Sequence, residues 1–337
     1  MGDADDEAEL PRPNGVPAGA ILRVLLVPGE AAGQRLDVFL QSKLRRTSRT
    51  RAARIVEQSA FDVRGNRLRP SSRVREGERV LLWREPFEDE DAELPALPVV
   101  HEDDHLLVID KPPLCAVHPT ARYHKHTVIK RLKAERPGQF LALIHRLDRE
   151  TSGVLMLAKD LEAERAFKRL LEQRTKDLGD EDPVKKTYLA ITRGVPGEGL
   201  IELPMELDSE NPLRVKMKIS NPGEGLPSRT GVTVLGERGG YALVRCKLFT
   251  GRQHQIRLHL SAAGCPIVGD KLYGPDERLL SRAADGELDD ADLAMLELPR
   301  HALHAHRYEL LHPVLGTALD LVVPLPPDLS AFWESRA

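Results

Sequence analysis

Residues 86–97, PFEDEDAELPAL, interrupt the 337-residue chain with proline and acid and carry no hydrophobic period. A stretch of that kind continues neither a helix nor a strand, so it reads as a linker. The hydrophobic residues on its two sides must then build separate cores, which suits a chain of this length. The pattern before it is helical in spacing and basic. The pattern after it is dominated by longer strand-like runs.

Residues 1–20 carry five acidic side chains in their first ten positions, with Gly, Pro and Ala and no period. They are expected to form a disordered acidic tail. Ile21–Leu26 is a short apolar run that predicts a strand. Leu36, Phe39, Leu40 and Leu44, then Ala52, Ile55 and Val56, keep helical spacing on either side of Thr47–Ser48. Two short helices follow, with Ser48 as cap of the second. Phe61–Val63 and Arg79–Trp83 read as extended, with a turn at Gly65–Asn66.

Between Arg35 and Glu85 there are fourteen Lys and Arg against six Asp and Glu, in a chain whose net charge is −3. Arg45, Arg46, Arg49, Arg51 and Arg54 crowd the helix junction, and Arg64, Arg67, Arg69, Arg73 and Arg75 recur on the hairpin. Such a block marks either a polyanion-binding surface or a solvated basic face, and charge alone does not separate the two. Three scattered cysteines, never in a CxxC pair, exclude a disulfide framework and a structural zinc site. No apolar run approaches the ~18 residues of a membrane span. The acidic start differs from the basic, then apolar, pattern of a signal peptide. A cytoplasmic protein is expected.

Beyond the linker, Leu106–Ile109, Val154–Ala158, Tyr188–Thr192, Ala242–Leu248 and His254–Leu260 read as strands. A helix follows Asp160, with Ala163, Ala166, Phe167, Leu170 and Leu171 on one stripe. There is no repeat and no strict β-α-β alternation. The expected class is α+β with a mixed, largely antiparallel sheet.

Two segments carry concentrated polar chemistry. His145-Arg146-Leu147-Asp148-Arg149-Glu150-Thr151-Ser152-Gly153 is a polar turn feeding a buried strand. An aspartate there is either a rigidly presented carboxylate or the structural acid of a surface turn. Thr250 to Leu260, TGRQHQIRLHL, places Ile256 and Leu258 on one face and Arg257 on the other if it is a strand. Its histidines are five apart with no carboxylate among them, so they do not make a helical metal pair and no metal is expected. Asp148 and Glu150 are the only carboxylates close enough to suggest a glycosidase pair, and an i, i+2 spacing is poorly suited to flanking a bond.

These blocks together resemble a known family. HRLDRETSGVLMLAK looks like the catalytic loop of the RluA-type pseudouridine synthases, KKTYLAITRG (185–194) like their tyrosine motif, and TGRQHQIRLHL with GCPIVGDKLYG (264–274) like their arginine motif and its sequel. DKPPLCAVHP (110–119) fits the early motif and PRHALHAHRYELLHP (299–313) the C-terminal strand. The blocks keep the family's order across residues 98–330. Residues 34–85 resemble the small alpha-L RNA-binding domain, first named from a ribosomal small-subunit protein, and 21–85 is taken as that domain. Two departures stand out: Leu114 occupies a usual glycine position, and the acidic insert around 178–183 is long.

The resemblance implies isomerisation of uridine in RNA to pseudouridine, without cofactor or metal. It assigns Asp148 as the carboxylate acting at the sugar, Arg257 as its charge partner and Tyr188 as the side chain packing against the base. A base inside a helix is unreachable, so the target must flip out. Arg146 is then placed to enter the vacated stack or contact phosphate, and Ile256 and Leu258 to wall the base. Arg45, Arg46, Arg49, Arg51, Arg54, Arg69 and Arg73 are expected to hold RNA. Large-subunit ribosomal RNA is the expected target, with transfer RNA as the alternative, and a silent ribosome-assembly factor as the non-enzymatic reading. The protein is expected to act as a monomer.

Overall fold

The computed structural model describes residues 12–17, 20–44, 47–84, 94–119, 126–176, 183–211, 215–221, 223–276 and 278–336, with side chains of 21, 84, 173–176 and 284–285 outside that description. These residues fall into two compact units. One lies within Met1–Glu90 together with Asp208–Lys216 and Ala284–Gly286, and the other takes the remainder. Most of the acidic stretch at 86–97 and nearly all of the insert at 178–183 lie outside the described residues.

In the smaller unit, β1 (Ile21–Leu26) is followed by α1 (Leu36–Lys43), α2 (Arg49–Ser59), β2 (Ala60–Phe61) and β3 (Arg79–Arg84). Both outer strands pair antiparallel to β3, giving the order β1-β3-β2. The helices form where the apolar spacing placed them, and Leu36, Phe39, Leu40, Ala52 and Val56 are buried in one cluster with Val80 and Leu82 of β3. Ser48 Oγ accepts from Arg51 N at 3.2 Å, so the expected cap starts α2. The expected tail is not tail throughout. Val16 and Ala20 pack with Phe61, Leu81 and Trp83, because that side of β3 presents apolar surface that the helices leave uncovered.

The larger unit is built on a sheet of ten strands. They are β4 (Val99–Glu102), β5 (Leu106–Lys111), β6 (Ala142–Leu143), β7 (Ser152–Ala158), β8 (Val184–Arg193), β9 (Gly199–Glu202), β12 (Arg229–Arg238), β13 (Tyr241–Leu248), β14 (Leu303–Leu311) and β15 (Ala318–Val322). A separate pair is formed by β10 (Met205–Leu207) and β11 (Met217–Ile219). The main order is β4-β5-β7-β14-β8-β13-β12-β9, with β15 beside β14 and β6 beside β7. Only β14 with β7 is parallel among the described pairs, so the sheet is mixed and largely antiparallel, as expected. The helices are α3 (Val128–Glu135), α4 (Leu161–Lys176), α5 (Gln255–Ala262), α6 (Leu279–Asp285), α7 (Asp290–Leu296) and α8 (Pro327–Glu334). Leu94 and Leu97, at the end of the acidic stretch, pack against the core of this unit. No helix among the described residues is long and apolar enough to cross a membrane.

One expected strand is a helix. The alternation of His254–Leu260 predicts a strand, but Gln255–Ala262 is α5, and all six residues from Gln255 to Leu260 are buried. A short run buried on every side carries no usable period. The deciding contacts are made by Gln255, whose Oε1 accepts from Thr250 Oγ1 at 2.7 Å and from Arg252 N at 3.1 Å. Its Nε2 donates to Arg229 O and to Thr230 Oγ1. Those bonds fix the first turn of the helix against β12.

Candidate active site

The loop from Ile144 to Thr151 joins β6 to β7, two strands that pair with each other. Thr151 N donates to Asp148 O at 3.1 Å, closing a tight turn that presents the Asp148 side chain. The turn is gripped from several directions. Buried Lys111 donates to Pro112 O, Cys115 O and Arg149 O at 2.7, 3.1 and 3.2 Å, and burial pushes its ammonium down to about 7. Arg300 Nη1 donates to Glu150 O at 3.2 Å. Thr151 Oγ1 pairs with His301 Nε2 at 2.8 Å, and Ser152 Oγ with His304 Nδ1 at 2.9 Å. Gly153 has φ +105°, and a Cβ there would lie 2.2 Å from Ala305 O, so β7 reaches its parallel neighbour only with glycine at that position.

Asp148 Oδ2 accepts from Arg257 Nη1 at 2.9 Å. Arg257 also donates through Nε and Nη2 to Asp270 Oδ2 and Oδ1, at 2.6 and 2.8 Å. Asp270 is fully buried, and its Oδ1 further accepts from Leu272 N and Tyr273 N. Asp148 is 28% exposed, so the buried Arg257 presents one carboxylate toward solvent while a second anchors it from within. Desolvation works to raise the Asp148 carboxyl, but His254, Arg257 and His301 outweigh it and hold it well below the usual carboxylate range. Burial pushes His301 itself down to about 4, so near neutral pH it is uncharged and Arg257 is the cation of those last two.

His254 takes the left-handed conformation, φ +58°, at the start of α5. Its Nδ1 lies 3.0 Å from Tyr273 Oη and its Nε2 is 3.8 Å from Asp148 Oδ2. Tyr273 Oη accepts from Met217 N at 2.9 Å, and the ring sits 5.2 Å from the Arg257 guanidinium. Burial raises the Tyr273 phenol above its ordinary range.

Sheet register brings Tyr188 into the same rank as this loop. Ala305 of β14 faces Gly153 on one side and Tyr188 on the other, while Lys111 faces Gly153 from β5. The buried Tyr188 hydroxyl is 2.8 Å from that of Tyr308, whose ring lies beside His145 and Lys186.

Residues 105–262 match the model of the RNA pseudouridylate synthase family. A protein of Neisseria meningitidis serogroup B, ribosomal large subunit pseudouridine synthase D, is 34% identical over 90% of this chain and 79% of its own length. The chain belongs to the RNA pseudouridylate synthase family. Ribosomal large subunit pseudouridine synthase C of Escherichia coli is likewise 34% identical, over 91% of this chain and 94% of its own length. Among solved structures, human RNA pseudouridylate synthase domain containing 1 superposes with TM-score 0.54 at 27% identity, covering 72% of this chain and 89% of that one.

In this pseudouridine synthase, Asp148 and Arg257 meet as the sequence led one to expect, although Arg257 is delivered by a helix. Arg146 is exposed beside the turn. Leu258 is buried next to Arg257. Ile256 is 4% exposed and sits in the core, where it anchors α5; an open wall for a base needs surface that it does not offer. Of the basic cluster, Arg49, Arg54, Arg69 and Arg73 are exposed and Arg51 half-buried, while Arg45 and Arg46 lie outside the described residues. Glu150, the carboxylate nearest Asp148 in sequence, is occupied by Lys271 Nζ at 2.8 Å and His301 N at 3.0 Å, which removes it from any paired-acid role. Leu114, at the usual glycine position, keeps that residue's backbone with φ +63°. Asp270, Tyr273, His254, His301 and Tyr308 carry contacts that sequence reasoning did not assign. The one signal for Asp270 was its place between two glycines in GDKLYG.

Proposed function

We propose that this pseudouridine synthase isomerises uridines of large-subunit ribosomal RNA, with Asp148 as the reacting carboxylate. The observation that carries the reading is the ion pair of Asp148 with a buried arginine on a tightly held turn. The names of the curated relatives support the choice of RNA.

The reaction is an intramolecular exchange. The bond between N1 of the base and C1′ of the sugar breaks, the base turns, and C5 bonds to C1′. The proton at C5 is lost and N1 gains one, so there is no net redox change. A carboxylate acts as nucleophile or base only when ionised. Cations around Asp148 overcome its desolvation and keep it so at neutral pH. Arg257 bonds Oδ2 and leaves Oδ1 for the sugar. Tyr188 packs against the uracil. Exposed Arg146, two residues before the carboxylate, fills the stack that the flipped base vacates. The arginines of the smaller unit bind phosphate through planar forks.

Asp148→Asn keeps the side chain's shape and removes its charge. RNA binding is expected to stay near wild type while tritium release from RNA labelled at uridine C5 disappears. Turnover within about tenfold of wild type, a barrier change of only ~1.4 kcal/mol, would contradict the role. Mapping pseudouridines in total RNA with and without the protein tests the choice of target.

A further inference from the structure

We propose that Asp270 is a positioning residue for the reaction, acting through Arg257 to set the place and the free oxygen of Asp148. The inference rests on the reading of Asp148 as the reacting carboxylate.

A guanidinium carries five N–H donors in one rigid plane. In Arg257, Nε and Nη2 are committed to the two oxygens of Asp270, at 2.6 and 2.8 Å. That two-point grip fixes the rotation of the plane. The N–H groups of Nη1 then have fixed directions, and Nη1 meets Asp148 Oδ2 at 2.9 Å. An arginine released from Asp270 would turn its fork onto Asp148, because guanidinium and carboxylate prefer to pair through two bonds. Both oxygens of Asp148 would then be occupied by the cation meant to orient it.

Asp270 is built for this task and for no direct part in the chemistry. Its side chain has no exposed surface, and two backbone N–H groups hold Oδ1 in addition to Arg257. The turn that carries it closes only with glycine at its ends. A Cβ on Gly269 would lie 2.0 Å from Arg300 O, and one on Gly274 would lie 2.0 Å from Asp270 O. The next residue, Lys271, donates to Glu150 at 2.8 Å, so one turn meets the Asp148 loop twice, through Arg257 and through Glu150.

The test is a cycle of Asp270→Asn, Arg257→Lys and the double variant in the full chain, read as single-turnover rate at saturating RNA and as RNA affinity. Lysine brings a compact ammonium on a flexible stem, without the planar fork that holds two carboxylates in fixed directions, so in Arg257→Lys the buried Asp270 competes with Asp148 for it. Each single variant is expected to lose on the order of a hundredfold in rate, the effect of misplacing a reacting group by about an ångström, with RNA affinity unchanged. The double variant is expected to recover about tenfold over Arg257→Lys, since the ammonium then has Asp148 alone. A merely structural Asp270 would make the double variant worse. Asp270→Asn within about threefold of wild type, or a double variant no faster than Arg257→Lys, overturns the proposal. If Asp270→Asn does not fold, Asp270→Glu keeps the charge and shifts the grip by one methylene. It is expected to slow the reaction with RNA affinity unchanged, and a wild-type rate there counts equally against the role. Asp148→Asn is run alongside. If it is active, the underlying reading fails. If it is inactive while Asp270→Asn is unperturbed, only the present inference fails.

Discussion

Replacing Arg257 with methionine keeps the apolar length of the side chain and removes the cation between two carboxylates. Asp148 is partly exposed and can be rehydrated, whereas Asp270 has no exposed side-chain surface and retains, among the described residues, the N–H groups of Leu272 and Tyr273. Breaking a buried pair by deleting one partner costs about 3–5 kcal/mol. For a unit of this size, that loss lowers the unfolding midpoint by roughly 6–20 °C.

The pH dependence gives a sharper test. In the wild type, burial works to raise the Asp270 carboxyl, but Arg257 more than compensates and holds it below its ordinary value. Its stabilising contribution is therefore complete above the unfolded carboxyl's pKa of about 3.9 and is lost as pH falls through the folded value. In Arg257→Met the desolvation is left unopposed by charge, so the folded carboxyl rises above the unfolded one. The variant then gains stability as pH falls through that raised value. The gap between wild type and variant should be widest near pH 7 and shrink toward pH 4. Thermal unfolding of the full chain, followed by circular dichroism at several pH values without RNA, measures it. A gap below about 1 kcal/mol at pH 7, or one that stays constant across that range, would refute the account of a buried acid held ionised by Arg257.

Leu114 holds φ +63° with 41% of its surface exposed, so Leu114→Gly relieves a left-handed backbone and loses little burial. A gain of up to about 1 kcal/mol is expected in chemical denaturation, and a drop in stability would show that the side chain contributes packing. Replacing Arg49, Arg51 and Arg54 together with glutamine should weaken RNA binding and reduce the slope of log affinity against log salt by roughly 0.7–0.9 for each phosphate no longer neutralised. An unchanged slope would make that face merely solvated.

The elements that local pattern specifies were legible. α1, α2 and α4 follow their apolar stripes, and β1 spans Ile21–Leu26 as its apolar run predicts. The pairing of Asp148 with Arg257 was legible through the family resemblance alone, since neither segment by itself singles out Arg257 among the arginines of the chain. What the sequence withheld was tertiary. Asp270 lies 13 residues beyond Arg257, and Asp148 lies 109 before it, so no window of sequence contains the triad. The packing of Val16 and Ala20 was hidden for the same reason, since it depends on the face of β3 that the helices leave bare.

The strand expected at His254–Leu260 separates these two kinds of information. Alternation along a seven-residue run could not tell a buried helix from a buried strand, and the outcome was decided by Gln255 reaching Arg229 and Thr230 on a strand. Yet the pairing of Arg257 with Asp148 survived the change of element. A salt bridge requires only that two groups arrive at one place with opposite charge, and either backbone can deliver an arginine there. The orientation of that arginine is more demanding. On α5 its fork faces Asp270 and only its last nitrogen faces Asp148, an arrangement set by the turn from Gly269 to Gly274 and not by the arginine's own segment. The family resemblance thus foretold the pairing, while the geometry that leaves one oxygen of Asp148 open came from a turn whose chemistry no local pattern announces.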